Sequence, residues 1–250
     1  MAFIETPRDL DEQEQSVAPI GDALAAAMVF IFGQIRDDFV RLYNATGEVF
    51  DAQAYEADIT QELRRSYIAT NAVVGGAIIQ HILSRPRDSL SLGVRRLADN
   101  TGVPFLNKVN QIAQTTEDAL EELYVARTTF ATPKIIGTTN TRLQRYLDDT
   151  LVNTPNAPRP VISGMVANRF DEVTPWHSEL IGDQETGMMS RGIKQTEAEV
   201  LEDEFNEDED DTLEPKFFKE WITRGDDLVR PAHVEADGQI RALDEPFIVD

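Results

Sequence analysis

From Ile20 onward the apolar residues Leu24, Met28, Ile31, Ile35, Phe39 and Leu42 recur in steps of three and four, the spacing that lines one face of an α-helix. The pattern predicts a helix ending near Thr46-Gly47, because glycine accepts the left-handed backbone of a helix C-terminus. Asp51 is placed to cap a second long helix: acids at 56 and 58 favour its first turns, apolar spacing continues to Leu83, and Pro86 ends it. Ser89 or Ser91 is suited to start a short helix through Leu97. Between Phe105 and Phe130 a third stripe runs through Val109, Ile112, Ala113, Thr116, Leu120, Leu123 and Ala126. Pro133 then suits the first position of a further helix, with Ile136, Leu143, Tyr146, Leu147 and Leu151 facing inward.

Punctuation along the chain predicts the divisions. Residues 1–18 are polar and acidic, with Pro7 inside and Pro19 just beyond as breakers, and read as a flexible arm. A helical domain follows over 19–152, then a Pro-rich linker over 153–160, where three prolines remove backbone donors and clash with any preceding turn. Helical pattern resumes over 161–205, parted at Pro175. An acidic loop occupies 206–215. Over 216–250, strand-forming Phe217, Phe218, Trp221 and Ile222, and later Ile240, Leu243 and Phe247, surround an Asp-Gly turn signal, which predicts a small β element. The expected fold class is mainly α: a long-helix N-terminal region with a small C-terminal α/β (β-hairpin) element.

Charge and composition narrow the chemistry. With 45 acids against 23 bases the chain carries a net −22, which repels phosphate backbones and argues against nucleic-acid binding. Eleven of the acids fall between Glu197 and Glu214 with no base among them, the composition of a solvated helix end running into a loop. Absence of cysteine removes disulfides, thiolate metal sites and cysteine nucleophiles. The hydrolase, phosphate-loop and zinc-protease strings are missing, and His81, His177 and His233 lack metal-ligand spacing. Asn206, Asp208 and Asp210 alternate like the start of a calcium loop, but Asp211 stands where glycine is needed and Phe217 where the bidentate glutamate belongs. Neither cofactor nor metal is expected.

Two apolar runs bear on membranes. Ala23–Gly33 is too short to cross about 30 Å of hydrocarbon. The chargeless span Ser66–Ser84 is long enough, but Ile68, Ala72, Gly75, Ile79 and Ile82 share one helical face, which predicts a buried bundle helix.

The most specific segment runs Trp221-Ile222-Thr223-Arg224-Gly225-Asp226-Asp227-Leu228-Val229-Arg230-Pro231-Ala232-His233, followed by Asp237-Gly238-Gln239 and by Asp244-Glu245-Pro246-Phe247. It resembles the C-terminal signature of the phage Mu F-like minor head proteins, the phage head morphogenesis family. Upstream, Leu180–Gly187 is similar to that family's Ile-Ala-Arg-Thr-Glu helix start, with Glu185 matching and Asp183 in place of the arginine. Two further departures are Leu228 at a usually basic position and the lack, before Asp250, of the Cys-x-Cys ending common in relatives.

The signature residues Glu185, Trp221, Thr223, Asp226, Arg230, His233, Asp237, Gly238, Pro246 and Phe247 read as a structural cluster. Trp221 supplies buried area, Arg230 can pair with Asp226 or Asp237, and Gly238 permits a positive φ. The resemblance implies a structural minor capsid protein of a tailed bacteriophage, not an enzyme, present in several copies in the virion head and in the host cytoplasm during assembly. Its implied partners are the portal protein ring and the major capsid protein, and its implied role is head assembly or DNA delivery. The alternatives are an ejected virion protein that meets the host membrane, and an enzyme using Asp226, Arg230 and His233.

Overall fold

The computed structural model describes residues 7–76, 103–206, 218–221, 231–243 and 245–248; the side chains of 7–14, 103–110, 205–206 and 231–233 lie outside the description. Four long stretches of helix dominate: α1 (Pro7–Thr46), α2 (Glu56–Val74), α3 (Val103–Asn153) and α4 (Arg159–Asn206). Two short antiparallel strands, β1 (Phe218–Glu220) and β2 (Ile240–Ala242), flank the single turn and a half of α5 (Pro231–Ala236). Their register pairs Phe218 with Ala242 and Glu220 with Ile240. The protein is thus mainly α, with a small antiparallel sheet near its C-terminus.

Helix ends follow the sequence more faithfully than helix interiors. Gly47 adopts φ +82° and donates its N–H to Tyr43 O at 2.8 Å, closing α1 where expected. The Asp51 carboxylate accepts the Gln53 N–H at 2.9 Å, so it caps a 3-10 turn over Ala52–Tyr55 that runs into α2.

Four expectations need correction. Helix α1 begins at Pro7, inside the expected arm, and continues through Pro19. The ring of Pro19 is exposed beside buried Val17, so one lost hydrogen bond is absorbed in water while the apolar stripe runs on. Pro133 and Pro175, also exposed, likewise lie within α3 and α4 and do not part them. The linker shrinks to 154–158, with Pro160 in the first turn of α4, where a missing donor costs nothing. Lastly, α2 stops at Val74, short of Leu83, with Gly76 at φ +75°; residues 77–102, including the helix expected near Ser89–Leu97, lie outside the described set.

Faces were also misread in α2. Ile68 is 51% exposed, whereas Leu63, Tyr67, Thr70 and Val74 point inward. Tyr67 on this inward face is wholly buried and donates its hydroxyl to Glu185.

Contacts divide the chain into two compact units. One comprises residues 17–72 and 124–189, the other 1–16, 73–123 and 190–250. In the first, Leu24, Met28, Ile31, Phe32, Ile35 and Phe39 of α1 pack with Ile59, Leu63 and Tyr67 of α2, Ile136, Leu143 and Tyr146 of α3, and Val166, Phe170 and Met189 of α4 as the buried core. Many interior positions hold Thr or Ser. Thr128, Thr139, Thr150, Thr174 and Thr186 each return the hydroxyl to the carbonyl one turn back, so burial leaves these groups satisfied.

In the second unit α3 meets α4 at Leu123 and Gly192. Here the solvated acidic stretch is corrected in part. Glu197 is only 2% exposed and accepts the Gly76 N–H; Glu204, 8% exposed, accepts from Gln111 and Thr115. Of the acidic loop expected over 206–215, Asn206 is the last residue of α4, and 207–215 lie outside the described set.

Candidate functional site

The signature residues fall into both units. In the C-terminal element, the Trp221 N–H donates to Gln239 O at 2.9 Å and the Gly238 N–H donates to Trp221 O at 2.8 Å, which extends the β1–β2 ladder around the turn. Gly238 has φ +75°, the conformation for which glycine was singled out. The Trp221 ring stands edge-on to Phe247 at 5.2 Å between centroids and 78° between planes.

Two residues that sequence reasoning gave no role complete this element. Lys219 donates from Nζ to Leu243 O at 2.7 Å and lies 5.4 Å from the Phe247 ring centre. The Gln239 amide brackets Ile248, donating to its carbonyl at 2.9 Å and accepting its N–H at 3.1 Å, so that the chain after Pro246 is tied back to the turn. Neither contact has a sequence period; only the fold makes them.

Asp237 and Pro246 are exposed. His233 lies in α5 with its side chain outside the description, and Thr223, Asp226 and Arg230 lie outside the described residues altogether. Trp221, Gly238 and Phe247 are therefore the signature members that come together.

Glu185 belongs to the other compact unit and forms the most saturated polar contact of its core. It projects from α4 between α2 and α3. Tyr67 Oη donates to its Oε2 at 2.7 Å, Arg127 Nε to the same oxygen at 2.8 Å, and Arg127 Nη2 to Oε1 at 2.7 Å. The side chains of Arg127 and Glu185 are 19% and 10% exposed. Burial and the adjoining carboxylate push the Tyr67 phenol far above its ordinary range, and the hydrogen bonds to Glu185 raise Arg127 further. Tyr67 and Arg127 thus remain donors throughout the working range of pH. Such a carboxylate, gripped by fixed donors from two helices, has the chemistry of a clamp and no face open to a substrate. Glu185 thus pairs with Arg127, 58 residues away in sequence.

Elsewhere in the same unit the imidazole of His177 stacks on Phe32 at 5.4 Å and 11°. Burial, reinforced by the charge of Arg142, holds its pKa down at about 4, so the ring is neutral at pH 7. A shallow groove of about 640 Å³ lies between the 49–51 segment and α3. Its Asp51 carboxylate, held below the ordinary range by the Gln53 N–H and by Asn140, is already engaged in capping. No group of His, Asp or Glu side chains with the arrangement of a metal site occurs among the described residues.

Comparison with protein-family models, with curated proteins and with solved structures finds no match.

Proposed function

We propose that this chain is a structural minor head protein of a tailed bacteriophage, bound at the portal vertex and acting in head assembly or DNA delivery. The reading is supported above all by the Trp221–Phe247 ring contact and the Gly238 N–H donated to Trp221 O, because these are residues on which the sequence resemblance rests and they come together. The saturated contact at Glu185, the other matched position, supports it further. In this reading the residues are fold determinants, the partners are the portal ring and the major capsid protein, and no cofactor takes part. The net charge of −22 keeps the chain off packaged DNA and directs it to basic protein surfaces.

Co-sedimentation of the full chain with assembled portal rings tests the reading. Binding is expected for the natural chain and is lost in Trp221→Ala, with helical circular dichroism unchanged. Absence of the protein from purified particles overturns it. So does a turnover by the isolated chain that His233→Asn abolishes without loss of solubility.

A further inference from the structure

Helix α1 is apolar on both of its sides over 23–33. Leu24, Met28, Ile31 and Phe32 are buried, while Ala23 and Ala26 are exposed together with Val29 (41%) and Phe30 (67%). No charged residue occurs between Asp22 and Arg36. A bundle helix normally turns polar groups to water; one that is apolar all round belongs in a core or in a bilayer. The core account requires the helix to be covered, yet only 39% of the most apolar window in Gln15–Thr46 is buried, at a mean hydropathy of 1.7.

Length points the same way. From Val17 to Ile35 there are 19 residues with Asp22 as the one ionisable group. At about 1.5 Å per residue this helix measures about 28 Å, close to the thickness of a hydrocarbon core.

One of the contacts that hold the inner face of α1 on α4, the Phe32–His177 stack, is sensitive to acid. Phe32 stacks on His177, and Arg36 bonds both carboxylate oxygens of Asp171 at 2.8–2.9 Å, one helical turn along α1. Among the described residues the charge bearing on His177 is that of Arg142 on α3, while α1 presents it with the Phe32 ring. A proton on this imidazole places a cation beside Arg142 in a site 9% exposed.

We propose that acid frees α1 from α4 and that its 17–35 segment then inserts into a neutral lipid bilayer. Lipid is favoured over a second copy because the outward face is apolar over a length that matches a hydrocarbon core and lacks charges with which to complement a protein rim. The proposal stands apart from placement at the vertex and fails separately from it.

Flotation of the full chain with phosphatidylcholine vesicles at pH 7 and pH 4 tests it. At least tenfold more protein is expected to float at pH 4. Phe30→Asp alters only the outward face, so it retains the pH 7 circular dichroism and loses the flotation. His177→Phe keeps an aromatic stack without a proton and moves the midpoint to lower pH. No flotation at pH 4, or undiminished flotation of Phe30→Asp, overturns insertion. An unmoved midpoint in His177→Phe overturns the trigger. Self-association at pH 7 that Phe30→Asp abolishes assigns the face to a second copy and overturns the lipid assignment.

Discussion

Within the unit formed by residues 17–72 and 124–189, α4 grips its neighbours by two different means. Toward α2 and α3 it offers the Glu185 carboxylate, held by Tyr67 and bidentately by Arg127. Toward α1 it offers shape: a Cβ on Gly182 would collide with Gly21 O, so the two backbones touch, and Phe32 lies edge-on to Phe170 and flat on His177. The ionic contact holds only while every member is present, since removing one leaves a buried charge without its counterion. The shape contact degrades by degrees, through crowding or through a proton on one ring.

The largest effect is therefore expected from Arg127→Met, which strands the Glu185 carboxylate and costs about 3–5 kcal/mol in urea unfolding. Replacing the whole set, as Tyr67→Phe, Arg127→Met and Glu185→Leu together, is expected to recover most of that loss, because no charge is then left buried. A triple variant as unstable as the single one means that the contact acts through packing alone, and the contrast with the α1 seam disappears.

Acid separates the two contacts next. An unfolded chain protonates His177 near 6.5, whereas the fold does so only near 4. Between those values the unfolded state binds more protons, so the contribution of the neutral ring is complete above pH 6.5 and declines as pH falls toward 4, by about 3 kcal/mol at most. His177→Phe is expected to flatten that part of the stability profile and leave the alkaline side unchanged. A profile that keeps its slope assigns the loss to carboxylates.

How legible these features were depends on whether the cause is local. Gly47, Asp51 and Gly238 were readable because a cap or turn needs particular backbone chemistry at one position. The α1 stripe was readable because its period is its own. The prolines misled because whether a helix survives Pro19, Pro133 or Pro175 depends on what packs before and after them, which no local rule contains. Tyr67 and Arg127 were invisible for the same reason. Glu185 was noticed through a resemblance, but its donors stand 118 and 58 residues away, and only the packing of three helices brings them together.

A smaller effect tests the shape seam. Gly182→Ala forces the α1 and α4 backbones apart, but alanine favours helix over glycine by about 1 kcal/mol, so a net loss of about 1–2 kcal/mol is expected. Gly164 lies on the same helix with nothing within 4 Å of its missing Cβ. Gly164→Ala is accordingly expected to stabilise by about 1 kcal/mol. Thermal unfolding of the pair gives opposite signs if close backbone contact is what Gly182 provides, and equal signs if helix propensity alone matters.

The smallest expected effect concerns the one ion pair of the α1 seam described here, Arg36–Asp171. Its geometry is good, at 2.8 Å, but the two side chains are 30% and 46% exposed, so water and salt screen it. A double-mutant cycle with Arg36→Met and Asp171→Asn is expected to give a coupling of about 0.5 kcal/mol that fades in 1 M salt. A coupling several times larger and indifferent to salt makes this contact ionic in the same sense as that of Glu185. The Arg36–Asp171 pair then holds the α1 seam together with the Phe32–His177 stack, and the contrast with the Glu185 contact narrows.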